Sequence, residues 1–187
     1  NNMIGYSDEG LYDAPVVILI HGFPFNRTMW ESQVELLKEK YRVITYDVRG
    51  HGNSDSGSGD FSIELFARDL ISLMDSLKIE KVIICGLSMG GYIALNIIQN
   101  YPERINGLIL CDTTCTADTP EGKEKRMNTI KSIRESGVEV YADGSLKNFF
   151  AEESFTTKKA EIARVREMMV NTSERTIVDT LLALSKR

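Results

Sequence analysis

The stretch "VIICGLSMGGYIAL", Val82 to Leu95, decides how the rest of the chain is read. It opens as a short apolar run, tightens into a serine flanked by glycines, and continues with small and apolar residues at helical spacing. Gly86-Leu87-Ser88-Met89-Gly90 matches the pattern G-x-S-x-G, with a strand pattern before it and a helix pattern after. A serine at such a junction sits on a cramped turn, its hydroxyl lifted above the sheet edge. The start of the following helix favours developing negative charge. The same residues could also be a helix N-cap serine, a phosphate loop or a dinucleotide fingerprint. The phosphate loop lacks the Gly-Lys-Ser/Thr that would follow, and the fingerprint has Ser88 where its central glycine belongs.

Outward from this point, apolar runs alternate with amphipathic segments. Val16–Ile20, Arg42–Tyr46, Lys81–Cys85 and Ile105–Cys111 are short and rich in Val, Ile and Leu. Such near-continuous apolarity predicts strands covered on both faces, as in a parallel sheet. Helical spacing lies between them: Trp30, Val34 and Leu37; Ile63, Phe66, Leu70, Leu73, Met74 and Leu77; Ile93, Ile97 and Tyr101, closed by Pro102. Strand–helix–strand repetition predicts an α/β architecture with right-handed crossovers. Met3–Tyr6 is expected to add an edge strand.

After Asp112 the pattern changes. Thr119-Pro120-Glu121 is a helix start, with an N-cap hydroxyl, proline at the first helical position and an early acid. Three amphipathic helices are expected on Met127/Ile130/Ile133, Ile162/Val165/Met169 and Ile177/Leu181/Leu184, laid over the sheet. The last runs from about Ser173 to Arg187 with no Gly or Pro stop, so the sequence is expected to end inside this helical layer.

Composition excludes several classes. A chain of 187 residues that is 42% hydrophobic and 26% charged can bury a single-domain core and is neither disordered nor fibrous. A net charge of −5 argues against a nucleic-acid partner. No apolar run reaches the ~20 residues of a membrane span, and the first residues lack a basic segment followed by an apolar one, so a cytoplasmic location is expected, with no membrane partner. Cys85, Cys111 and Cys115 are read as small buried thiols rather than a redox or metal set.

Two further segments add to the Ser88 turn. "IHGFPFN", Ile20–Asn26, follows one strand. A serine that performs acyl transfer needs two N–H donors aimed at the oxyanion, one from the residue after it and one from such a loop; these are Met89 and Phe23. "YDVRGHGNSD", Tyr46–Asp55, follows another strand, where Gly50 and Gly52 suit a sharp reversal and His51 is expected to make structural hydrogen bonds.

In that order and at these spacings, the three motifs resemble the α/β-hydrolase fold family, in particular its capped esterase and lactonase branch, such as the 3-oxoadipate enol-lactonases. The resemblance implies a mostly parallel sheet flanked by helices. Residues 1–113 would form the N-terminal part of the core and 114–187 an incomplete helical cap, with the last strands and helices lacking. It implies Ser88 as catalytic nucleophile, Phe23 and Met89 as the oxyanion hole, a small ester or lactone as substrate, and neither metal nor organic cofactor. Perhydrolases and C–C bond hydrolases share the same turn, and a non-catalytic ligand-binding relative would keep it too.

The departure from the family is equally definite. Its triad runs serine, acid, histidine in chain order, yet no histidine follows His51. His21 and His51 each belong to a motif with another role, and Asp112 is read as a strand-end hydrogen-bonding residue. The chain alone is therefore expected to be catalytically incomplete, with possible self-association through surface that the missing part would cover.

Overall fold

The computed structural model describes residues 3–187. Five strands form one sheet: β1 (Tyr6–Gly10), β2 (Val16–Ile20), β3 (Arg42–Tyr46), β4 (Val82–Leu87) and β5 (Ile105–Cys111). Their spatial order is β1-β3-β2-β4-β5. β1 pairs antiparallel to β3, and the other neighbours are parallel. The edge strand begins at Tyr6, where the expected segment Met3–Tyr6 ends. Its sequence Tyr-Ser-Asp-Glu-Gly carries no apolar run, so backbone pairing to β3 and the Ser7–Thr45 hydroxyl contact at 2.8 Å hold it.

Alternation along the strands sorts the core into two layers. Ile18, Ile20, Ile44, Tyr46, Val82 and Ile84 face one side, against α2 (Ile63–Ser76) and α3 (Met89–Asn100). Val17, Leu19, Val43 and Cys85 face the other, against Trp30 and Val34, the latter in α1 (Glu31–Leu37). Ser62 caps α2, its Oγ accepting from the Leu65 N–H at 3.0 Å. On β5, Ile109 and Leu110 are exposed.

Beyond Thr113 the described residues are helical: α4 (Pro120–Ser145), the single turn α5 (Ser154–Thr157), α6 (Lys159–Val170) and α7 (Glu174–Ser185). Thr119 caps α4 through its Oγ1, as the Thr-Pro-Glu signature predicts. Gly137 breaks α4 into two arms, with φ 87° and ψ 167°, a conformation that only glycine adopts readily. Ile130 and Ile133 on the first arm pack with Ile177, Val178 and Leu181 of α7. Ala142 on the second arm joins Ile162, Met168 and Met169 of α6 around Phe25.

The helical layer is fastened to the sheet at several points. Ala183 and Leu184 of α7 reach the main core, and Phe23 packs against the α4–α7 cluster. The Arg164 guanidinium pairs with Glu31 and donates to the Thr28 carbonyl. Arg187 bonds Asp118 at 2.5 Å and the Thr116 carbonyl at 2.6 Å while lying over the Tyr92 ring at 3.8 Å. No helix among the described residues is long and apolar enough to cross a membrane.

Candidate active site

Ser88 stands between the last residue of β4 and the first of α3, with φ 49° and ψ −109°. A positive φ on a residue with a β-carbon costs on the order of 1–3 kcal/mol and persists only when the surroundings enforce it. Here they do, through backbone crowding. A β-carbon on Gly86 would come 2.3 Å from the Gly90 carbonyl oxygen, and one on Gly90 would come 2.4 Å from that of Ile20. Strand, turn and helix therefore approach more closely than any other residue at those two positions permits. Ser88 is half-buried, and its hydroxyl makes no capping bond to α3.

The turn is bracketed by the end of β5. The Ser88 N–H donates to the Cys111 carbonyl at 2.9 Å, and the Thr113 hydroxyl donates to the Ser88 carbonyl at 2.9 Å. Between these two partners Asp112 adopts φ 41°. Asp112 is exposed and its carboxylate accepts no hydrogen bond among the described residues. Its contribution is conformational, which corrects the expectation of a hydrogen-bonding strand-end side chain.

The loop after β2 lies against the same turn. A β-carbon on Gly22 would touch Leu87, at 3.2 Å from its side chain, while Gly90 faces the carbonyls of Ile20 and His21. The structure thus brings the Phe23 loop and the Met89 end of α3 together. Neither the Phe23 nor the Met89 N–H donates to another described residue. Phe23 precedes a cis proline, Pro24.

Both histidines are consumed by structure. His21 is wholly buried; its Nδ1 lies 2.9 Å from the Gly22 carbonyl oxygen and its Nε2 accepts from the Val48 N–H at 2.9 Å. Those partners set the tautomer, with the proton on Nδ1. Burial, then the neighbouring His51, pushes its pKa down to about 3. His51, also wholly buried, turns Nδ1 to the Arg49 carbonyl at 3.0 Å, and burial lowers its pKa as well. The two rings lie 5.3 Å apart. Both rings are sealed from solvent, and His51 Nε2 has no hydrogen-bond partner among the described residues.

Asp47 organises the loop that holds His21. Its side chain is fully buried and accepts from the N–H groups of Arg27 at 2.8 Å and Asn53 at 2.9 Å, as well as from the Arg27 guanidinium. The sequence pattern gave no warning of this role. Its one signal was Gly52, where a β-carbon would come 2.4 Å from the Asp47 carboxylate.

The cysteines divide by exposure. Cys85 is buried, Cys111 half-buried and Cys115 exposed, so the expectation of buried thiols fails for Cys115, which lies past the sheet in an open loop. Burial pushes the Cys85 thiol up to about 12, with Cys111 Sγ 3.8 Å away; such a thiol is unreactive near neutral pH. A cleft of about 560 Å³ runs along the two arms of α4, between Glu121 and Ser145, but none of its lining residues belongs to the Ser88 turn.

The family model for the alpha/beta hydrolase fold matches residues 15–162, and the chain belongs to that family. Among characterised proteins it is similar to 3-oxoadipate enol-lactonase 2 of Acinetobacter baylyi, 31% identical over 147 residues, which is 79% of this chain and 54% of the relative. Among solved structures it resembles a thermophilic esterase from Thermogutta terrifontis, with TM-score 0.93 and 34% identity over 100% of this chain and 68% of that one. It also resembles the enol-lactonase from Burkholderia xenovorans LB400, with TM-score 0.91 and 30% identity over 98% of this chain and 70% of that one. The chain spans about half the length of the curated relatives it matches.

Proposed function

We propose that this sequence carries the nucleophile and oxyanion-binding half of a serine hydrolase acting on a small ester or lactone. In this reading Ser88 Oγ attacks the carbonyl carbon, and the N–H groups of Phe23 and Met89 receive the charge that moves onto the carbonyl oxygen. The alcohol leaves, or the lactone ring opens, and water releases the acyl group from Ser88. The observation that carries the proposal is the Ser88 backbone at φ 49°, with a hydroxyl free of any capping bond at the start of α3. Strain of that kind is maintained where it positions a group for chemistry. The names of the relatives, enol-lactonase and esterase, support the substrate class.

The reaction also needs a base. His21 and His51 are buried in the loops, and in this reading neither is the proton acceptor. Loss of a triad histidine costs about 10⁶ in turnover, or roughly 8 kcal/mol of barrier, so the 187-residue chain alone should turn over esters very slowly. In this reading residues 114–187 serve as a cap, supported by the packing of their helices around Phe23 and Phe25, and the chain self-associates through the exposed Ile109 and Leu110 of β5.

Labelling with a fluorophosphonate, read by peptide mass spectrometry, tests the assignment. Modification of Ser88 in the complete protein that carries this sequence, lost in Ser88→Ala, is the expected result. Unmodified Ser88 beside a labelled residue elsewhere would remove the proposal. Size-exclusion chromatography of the 187-residue chain, giving a clean monomer at all concentrations, would remove the self-association.

A further inference from the structure

Gly91 lies outside the five-residue serine motif, yet no other residue fits there. A β-carbon on Gly91 would come 2.5 Å from Thr113 Oγ1 and 2.6 Å from both Thr113 carbons beyond Cα. The closeness lets the Thr113 hydroxyl, from the segment after β5, reach the Ser88 carbonyl oxygen at 2.9 Å. That oxygen also accepts from Gly91 N–H at 2.9 Å and from Tyr92 N–H at 3.3 Å. The regular helical bond, from Tyr92, is the longest of the three, as expected where a third donor shares an oxygen with two lone pairs.

The peptide bond is planar and trans, so the C=O of Ser88 and the N–H of Met89 point in opposite directions from one rigid unit. A side chain that fixes the carbonyl therefore fixes the direction of the Met89 N–H. Hydrogen bonds accepted by the carbonyl also polarise the unit and strengthen that N–H as a donor. The other donor is arranged in the same way. His21 Nδ1 holds the Gly22 carbonyl at 2.9 Å, and Gly22 C=O shares its peptide with the Phe23 N–H. Two side chains from different parts of the chain thus hold the carbonyls of the two peptide units that carry the Phe23 and Met89 N–H groups.

We infer that Thr113 is a positioning residue for acyl transfer: through the Ser88 carbonyl, its hydroxyl aims the Met89 N–H at the oxyanion. The inference rests on the proposed role of Ser88 and adds to it a side chain that touches neither substrate nor reacting atoms. The positive φ of Asp112 belongs to the same device, because it turns the chain so that Cys111 receives the Ser88 N–H and Thr113 grips the Ser88 carbonyl.

The test compares wild type, Thr113→Val and Thr113→Ser in the complete protein that carries this sequence. Ester turnover with p-nitrophenyl acetate gives kcat and KM, fluorophosphonate labelling gives the rate at Ser88, and ¹H–¹⁵N spectra follow the Met89 amide. Valine keeps the shape and removes the donor. We expect kcat and the labelling rate to fall roughly 10- to 100-fold, less than the roughly 100- to 1000-fold loss on removing an oxyanion donor outright, with KM changed by less than about twofold. Thr113→Ser should return both rates to near wild type, and the Met89 amide resonance should move in Thr113→Val but much less in Thr113→Ser.

If Thr113→Val does not fold, Thr113→Cys, a weak donor of similar size, carries the same expectation. Wild-type rates per folded molecule in the valine or cysteine variant would overturn the inference while leaving Ser88 its role, as would an unmoved Met89 resonance. A wild-type protein in which Ser88 neither labels nor supports turnover would remove the reading beneath it, and the inference with it.

Discussion

The carbonyl oxygen of Gly90 occupies the space that a β-carbon on Gly86 would need, at 2.3 Å. Two residues four apart, one ending a strand and one opening a helix, are pressed backbone to backbone, and Ser88 is the residue caught between them. Gly86→Ala should therefore force strand and helix apart. The blocking atoms are backbone rather than a flexible side chain, so the cost should reach the upper end of overpacking, about 3 kcal/mol. A urea melt measures it; a loss below about 1 kcal/mol would show that the turn can relax and that the crowding is not what enforces the Ser88 conformation.

The strain itself can be measured at Ser88. Replacing it with glycine relieves a conformation worth on the order of 1–3 kcal/mol, against about 0.5–1 kcal/mol of added freedom in the unfolded chain. Ser88→Gly should raise stability by about 1 kcal/mol while abolishing fluorophosphonate labelling. Ser88→Ala keeps the β-carbon and should lose labelling without the gain. Equal stabilities for the two variants would deny that the turn stores strain.

How much of this could be read from the residues varies with where the information resides. β2, β3 and β5 match the apolar runs at Val16–Ile20, Arg42–Tyr46 and Ile105–Cys111 because burial on both faces leaves a compositional trace. β1 leaves none: a polar edge strand is held by backbone pairing and by the Ser7–Thr45 and Asp8–Arg42 contacts across to β3, none of which leaves an apolar pattern. The break at Gly137 was equally silent, since a single glycine in a helical pattern does not announce a reversal of two arms. The tight turn at Ser88 was legible because strand, glycines and helix are written in local spacing. Thr113 and Asp47 were not, because each acts on residues 25 and 20 positions away or adjoining loops through tertiary contact. For both, the trace lay in a neighbouring glycine, Gly91 or Gly52, whose missing β-carbon marks a close approach.

Asp47 offers a third prediction. With no exposed side-chain surface, it satisfies two backbone N–H groups and the Arg27 guanidinium, whose side chain is 22% exposed. Asp47→Ala strands all three donors and should cost about 3 kcal/mol or more, the range for breaking a buried pair. Asp47→Asn keeps one carbonyl oxygen of the same reach and should cost less. The loop it braces delivers the Val48 N–H to His21 Nε2, so either change should also shift the His21 imidazole resonance. An unshifted signal in a destabilised Asp47→Ala variant would separate the Asp47 loop from the Phe23 loop.

The paired histidines make stability depend on pH, with a sign that follows from burial. His21 titrates near 3 in the folded chain, and His51 is also lowered, while both titrate near 6.5 once unfolded. Between those limits the unfolded state binds more protons, so stability rises with pH there. The contribution is fully present above pH 6.5 and is lost as pH falls toward the folded-state values. His21 contributes a slope of about 1.4 kcal/mol per pH unit below pH 6.5, and His51 adds to it in the same direction. Urea midpoints measured from pH 7.5 to 5 should fall steadily below about pH 6.5. The chain has only two histidines, so their imidazole C2 protons are easily followed; His21 should not titrate in the folded protein above pH 5, and His51 should titrate below its ordinary value. A normal titration near 6.5 for either ring would place it in solvent, free the Gly22 carbonyl or the Arg49 carbonyl from its partner, and reopen that histidine as a candidate base for Ser88.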